Sequence, residues 1–303
     1  MSDFAAAAMM RLIPLGLRRQ GIAAAALKPS CGAHVPLADK RALADALLRE
    51  HGAPVLLRIG QAVHDARDEP ILVALMMARD PLDLIARWQR LEGFVHSRHR
   101  VFIEHAGADN AVLRHVSLDT ALPPSRAEDL LVFGLLVAFI ERLGTDGLQA
   151  RFAGDSRRCW QHGRWIESAL PKDVSCWALS WSPGGGARPL AGPAADDDWV
   201  AAVHRVLCTD PGRHWTLPTL ARDLNTSPRS LQRRLLAGGS GFSVLLLEVR
   251  LAQSAKLLAE SRQSPAEIGY VCGFSDQAHF TRRFKGHCAL TPGQFRAQFA
   301  VLR

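Results

Sequence analysis

A chain of 303 residues with 37 Lys+Arg against 29 Asp+Glu carries a formal net charge of +8 at pH 7, and its length leaves room for two domains. Its six cysteines include no CxxC pair, which argues against a thiol redox motif and for a reducing, cytoplasmic location. The apolar run Leu130 to Ile140 is bounded by Asp129 and Glu141, too short to span a bilayer, and reads as a buried core helix.

The alanine-rich start, Phe4 to Leu17, has Asp3 before it and its arginines after it, the wrong polarity for a secretory signal. Leu37 to Glu50 predicts an amphipathic helix stopped near Gly52, and Asp80-Pro81 starts another toward Arg90. Arg100 to His105 and Ala111 to Leu118 flank Gly107-Ala108-Asp109-Asn110 and predict a hairpin. There follow a helix from Ala127 to Leu143, a strand at Leu148 to Phe152, a helix around Ser156 and a strand at Val174 to Trp181. The expectation for residues 1–181 is therefore a mixed α+β domain.

His96, His99 and His105 lie close in sequence, with Glu104 among them, but on a segment entering a strand their spacing does not converge on one face. They are expected as solvated or hydrogen-bonding histidines, and neither a metal nor a cofactor is expected. Cys159 and Cys176 are expected as small buried hydrophobes rather than a redox pair. Residues 182–198, SPGGGARPLAGPAADDD, read as a flexible linker. Gly184 to Gly186 lack the Lys-Ser/Thr that a phosphate loop requires.

The basic excess is not spread evenly. Residues 1–198 contain 23 Lys+Arg and 23 Asp+Glu, whereas residues 199–303 contain 14 against 6, so the whole surplus sits on the C-terminal third. There, Thr216 caps a helix through Leu217, Leu220, Ala221 and Leu224; Asn225 and Thr226 turn; Ser227-Pro228 starts PRSLQRRLL. Leu231 and Leu235 face the core while Arg229, Gln232 and Arg233 face outward. Phe242 to Glu260 is an apolar-periodic connecting helix with Arg250 and Lys256 on its polar side. Ser264, Pro265 and Glu267 form a capping box, Gly273 supplies a sharp exit, and Ser275 caps a second helix. In that helix Phe280 and Phe284 share the packing stripe, opposite Gln277, Thr281, Arg282 and Lys285. Thr291, Pro292 and Gln294 repeat the cap pattern.

The prediction is an all-α domain over residues 199–303 with two helix-turn-helix motifs, about 216–237 and 264–287, joined by a linker helix at about 242–260. Leu220, Leu224 and Ser227 align with Ile268, Cys272 and Ser275 as a degenerate repeat.

Gly273, Phe274, Ser275, Phe280, Arg282, Phe284, Lys285, Thr291, Pro292 and Arg296 together resemble the second helix-turn-helix of the AraC/XylS family of bacterial transcription regulators. By family analogy, Arg229, Gln232 and Arg233 in the first unit, and Gln277, Ala278, Thr281, Arg282 and Lys285 in the second, are the DNA-binding residues. VPLADKRALADALLREHGAPVLLRIGQAV resembles the opening of the effector domain in the arabinose- and ornithine-type branch of that family. The resemblance implies an N-terminal effector-binding or dimerisation domain, double-stranded promoter DNA as partner, a small-molecule effector, a homodimer and contact with RNA polymerase. It implies no enzyme activity and no membrane partner. Two other readings stand beside it: an architectural DNA-bending protein without effector, and a DNA-repair methyl-transfer fusion, which needs four clustered cysteines where the N-terminal region has only Cys31, Cys159 and Cys176. Where the family places glycine ahead of Thr-Pro, this chain has Ala289, a cost if the backbone there is left-handed.

Overall fold

A computed structural model describes residues 3–23, 34–66, 69–166, 169–182 and 199–301. These fall into two compact units divided near residue 191, with the segment 69–74 grouped with the C-terminal one. The expected linker, apart from Ser182, lies outside the described residues.

The N-terminal unit begins with β1 (Phe4–Ala6), α1 (Ala7–Met10), α2 (Leu12–Arg19), β2 (His34–Pro36), α3 (Leu37–His51) and α4 (Ala53–Ile59). A short 3-10 turn at Gly60–His64, then α5 (Pro70–Met76), most of which groups with the C-terminal unit, and α6 (Pro81–Val95) lead to β3 (His99–Ala106) and β4 (Asn110–Ser117). After α7 (Arg126–Arg142) come β5 (Gln149–Phe152), β6 (Trp160–Gln161), β7 (Arg164–Trp165) and β8 (Cys176–Ser180). Strands β3 to β8 form one antiparallel sheet in the order β3-β4-β8-β5-β6-β7, while β1 pairs with β2. The α+β expectation is met, with helix α3 stopping at Gly52, whose φ is +78°.

Helix α7 is held at its start by a full capping box, Ser125 with Glu128, and is buried along its length from Ala127 to Ile140. That burial requires backbones to approach closely. A Cβ on Gly60 would lie 2.1 Å from the Gly134 carbonyl oxygen, and one on Gly134 would lie 2.4 Å from that of Leu57. The small residues seat α7 directly against α4 and the 3-10 turn.

Two sequence expectations are corrected. No helix forms around Ser156; after Gly154 turns at φ +82°, the chain continues into the β6-β7 hairpin, whose His162-Gly163 turn has φ of +53° and +72°. Two successive positive φ values match the twist of a tight hairpin and not a helix. The histidines also do not scatter. His96 is the residue just past α6 and His99 opens β3, so the sharp helix-to-strand turn stacks their rings at 4.3 Å, both buried. His105 and Glu104 are exposed farther along β3.

The C-terminal unit contains α8 (Trp199–Thr209), α9 (Leu217–Asp223), α10 (Pro228–Ala237), α11 (Phe242–Glu260), α12 (Pro265–Val271), α13 (Gln277–Cys288) and α14 (Pro292–Phe299). Val203, Leu207, Trp215, Leu220, Leu231 and Leu235 make the first core beside Leu245 and Val249 of α11. The second is a run of rings, Phe274, Phe280, Phe284, Phe295 and Phe299, with successive centroids 5.0 to 5.5 Å apart. Among the described residues no single helix is long and apolar enough to cross a membrane.

Candidate nucleic-acid interface

Each reader is built by local chemistry. Thr216 and Thr219 form the cap of α9, Asn225 turns at φ +50°, and the Ser227 hydroxyl accepts from the Ser230 N–H to start α10 behind Pro228. In the second unit Ser264 and Glu267 box the start of α12, and Gly273 turns at φ +81°.

The cap of α13 differs from expectation. Asp276, not Ser275, is the N-cap, its carboxylate accepting the His279 N–H at 2.7 Å. That bond holds the Asp276 carboxyl below its usual range. Burial of Phe280 and Phe284 sets the helix register, and this places position 276 where a side-chain acceptor reaches the third helical N–H. Ser275 instead donates to Asp276 at 3.1 Å and lies 3.0 Å from His279 Nδ1, while Arg283 Nε donates to His279 Nε2 at 3.4 Å. This polar relay across the first turns of α13 was not singled out in the sequence; the Ser-Asp pair followed by His279 and Arg283 at helical spacing was its signal.

Of the expected contact residues, Arg229, Gln232 and Arg233 are exposed on α10 opposite buried Leu231 and Leu235. Gln277, Ala278, Arg282 and Lys285 are exposed on α13, and Thr281 is partly exposed at the edge of the stripe made by buried Phe280 and Phe284. Both helices therefore pack one stripe and present the other, with Arg and Gln as the side chains suited to guanine and adenine edges. Arg234 is engaged with Trp199, its guanidinium 4.0 Å from the ring centroid.

Helix α11 fixes the two readers with two buttresses. Arg250 donates from Nε to the Pro211 carbonyl at 3.0 Å and from Nη2 to that of Arg213 at 3.2 Å. Arg296 donates to the carbonyls of Leu258 and Gln263, tying α14 to the end of α11. Arg250, placed on the polar side of the helix by periodicity, is thus half-buried structure, whereas Lys256 is exposed. Nineteen residues give α11 a length of roughly 28 Å, near the roughly 34 Å of a duplex turn.

Two capped, exposed, cation-bearing helices on one rigid connector define a double helix-turn-helix DNA-binding domain. Residues 220–298 match the family model described as "Helix-turn-helix domain". The urease operon transcriptional activator of Escherichia coli is 36% identical over 103 residues, covering 34% of this chain and 35% of that protein. The transcriptional regulator GlxA of Rhizobium meliloti is 35% identical over 129 residues, 41% of this chain and 40% of that one. An AraC-type regulator structure from Chromobacterium violaceum is 27% identical, covers 36% of this chain and 97% of that chain, and superposes with a TM-score of 0.33. The C-terminal domain of this chain belongs to the AraC/XylS family of DNA-binding regulators. The aligned region spans only about a third of the length of the first curated relatives.

Proposed function

We propose that the whole chain is a sequence-specific transcription regulator that reads two successive major grooves with α10 and α13, under the control of a small molecule bound by the N-terminal unit. The observation that carries this is the pairing of two outward Arg/Gln faces with a local charge surplus of 14 Lys+Arg over 6 Asp+Glu in residues 199–303. A stiff α11 favours DNA that bends to meet both helices. Arg229, Gln232 and Arg233, with Gln277, Ala278, Thr281, Arg282 and Lys285, carry the contacts. Dimer formation through the N-terminal unit and contact with RNA polymerase complete the reading.

A selection from randomised duplex DNA with the full chain tests it. Enrichment of one bipartite motif, its halves spaced by about one helical turn of roughly 10 base pairs, is the expected result. Uniform retention of all sequences would favour the architectural, effector-free alternative.

A further inference from the structure

The N-terminal unit holds a cavity of about 60 Å³, open to solvent on one side, between α1, α2, α3, α6 and α7. Its walls include Ile13, Trp88 and Leu135, with partly exposed Met9 and Met10 on the solvent side. The polar end holds Lys40, His96, His99 and His115, all buried. Lys40 Nζ lies 3.0 Å from His96 Nε2 and 3.1 Å from a Glu128 oxygen.

The hydrogen bonds around His96 determine its protonation. Its Nδ1 accepts the backbone N–H of His99 at 2.9 Å, so the ring proton of the neutral imidazole is on Nε2, directed at Lys40. An ammonium cannot accept that proton; an uncharged amine can. Burial pushes the Lys40 amine toward its uncharged form against the pull of Glu128, whose charge Arg41 shares at 3.0 Å. His99, whose Nδ1 lies 3.7 Å from the Glu128 oxygen that Lys40 also approaches, has both ring nitrogens buried and without a hydrogen-bond partner among the described residues.

His96, His99 and Glu128 also bring one ligand atom each within 4.8 Å, as a metal site would. Two features oppose that use. His96 Nδ1 is taken by the backbone and Nε2 carries a proton, and Lys40 occupies the space between His96 and Glu128.

We propose that Lys40 is a nucleophilic amine that captures a small apolar aldehyde or ketone in this cavity as an imine. This deepens the effector reading by naming the ligand class. The Lys40 nitrogen lone pair forms a C–N bond to the carbonyl carbon while the C=O π pair moves to oxygen. That oxygen takes up two protons, matched by the two that nitrogen gives up, and leaves as water. Amine plus carbonyl becomes imine plus water with no change of oxidation state. His99, with one nitrogen able to donate and the other to accept, is placed to pass the protons.

The test treats the full native chain with octanal and sodium cyanoborohydride near pH 7 and maps adducts by peptide mass spectrometry. The expected result is reduction-trapped octanal on Lys40 ahead of the four other lysines, with the label at position 40 lost in Lys40→Arg. Labelling only of the other lysines would overturn the proposal. So would stabilisation by octanal and octanol alike without an adduct, which would mark a non-covalent apolar site, or stoichiometric zinc binding abolished by His99→Ala. The wild-type experiment needs no variant to fold, and its outcome is independent of the DNA selection.

Discussion

A Cβ placed on Gly273 would lie 2.6 Å from the Arg250 guanidinium nitrogen Nη2. The glycine turn of the second helix-turn-helix and the arginine that anchors α11 to the Pro211 and Arg213 carbonyls therefore share one space. Glycine is required twice over, by the φ of +81° and by this approach.

Gly273→Ala should consequently destabilise the chain by about 1 to 3 kcal/mol, combining the left-handed backbone penalty with displacement of Arg250. Urea denaturation followed at the C-terminal transition checks this; an unchanged midpoint would show that the turn relaxes freely.

Ala289 is the reverse case. It ends α13 in the left-handed region at φ +67°, where the family pattern has glycine. Ala289→Gly should stabilise by about 1 kcal/mol, because it removes the Cβ clash at a C-terminal cap. A raised unfolding midpoint is the expected readout, and a lowered one would mean that the alanine side chain contributes packing.

Arg282 is exposed on α13. Arg282→Ala should weaken binding to the selected operator by about 1 to 3 kcal/mol if it reads a base edge in bidentate fashion. Titration on operator and on random duplex at one salt concentration separates the roles, since equal losses on both would assign the residue to phosphate.

The N-terminal unit should be acid-labile. Burial pushes His99 and His115 down to about 3 and lowers His96 further; burial would raise Glu128, but the Ser125 N–H and Arg41 hold it below the usual carboxylate range. Below about pH 6.5 the unfolded chain takes up histidine protons that the folded chain refuses, so stability falls with acidification. Glu92 and Asp129, pushed up by burial to about 7 and about 8, work in the opposite sense, favouring the folded state as pH falls toward 4. Below that they are protonated in both states and their offset ends, while Glu128 begins to lose its contribution. Denaturation midpoints at pH 6.5, 5 and 3.5 should therefore drop slowly and then steeply; a midpoint that rises on acidification would contradict the burial of the three rings.

The reader domain was legible because its determinants are local. Thr216, Ser227, Ser264 and Thr291 cap the helices that follow them, and Leu231, Leu235, Phe280 and Phe284 declare their packing stripes by spacing alone. Even its errors were local: Ser275 and Asp276 are adjacent competent caps, and the burial of Phe280 chose between them. The helix expected around Ser156 failed because Gly154, His162 and Gly163 take positive φ within a hairpin. For the N-terminal unit, sequence determined that Gly52 ends α3, that a helix runs from about Ala127 to Leu143, and that two strands flank residues 107–110. Tertiary structure alone decided that Lys40, His96, His99 and Glu128 meet. They come from α3, the α6-β3 turn and α7, and no periodicity couples residues so far apart along the chain. The direction in which the Lys40 amine and these imidazoles shift follows from burial, a property of the packed fold.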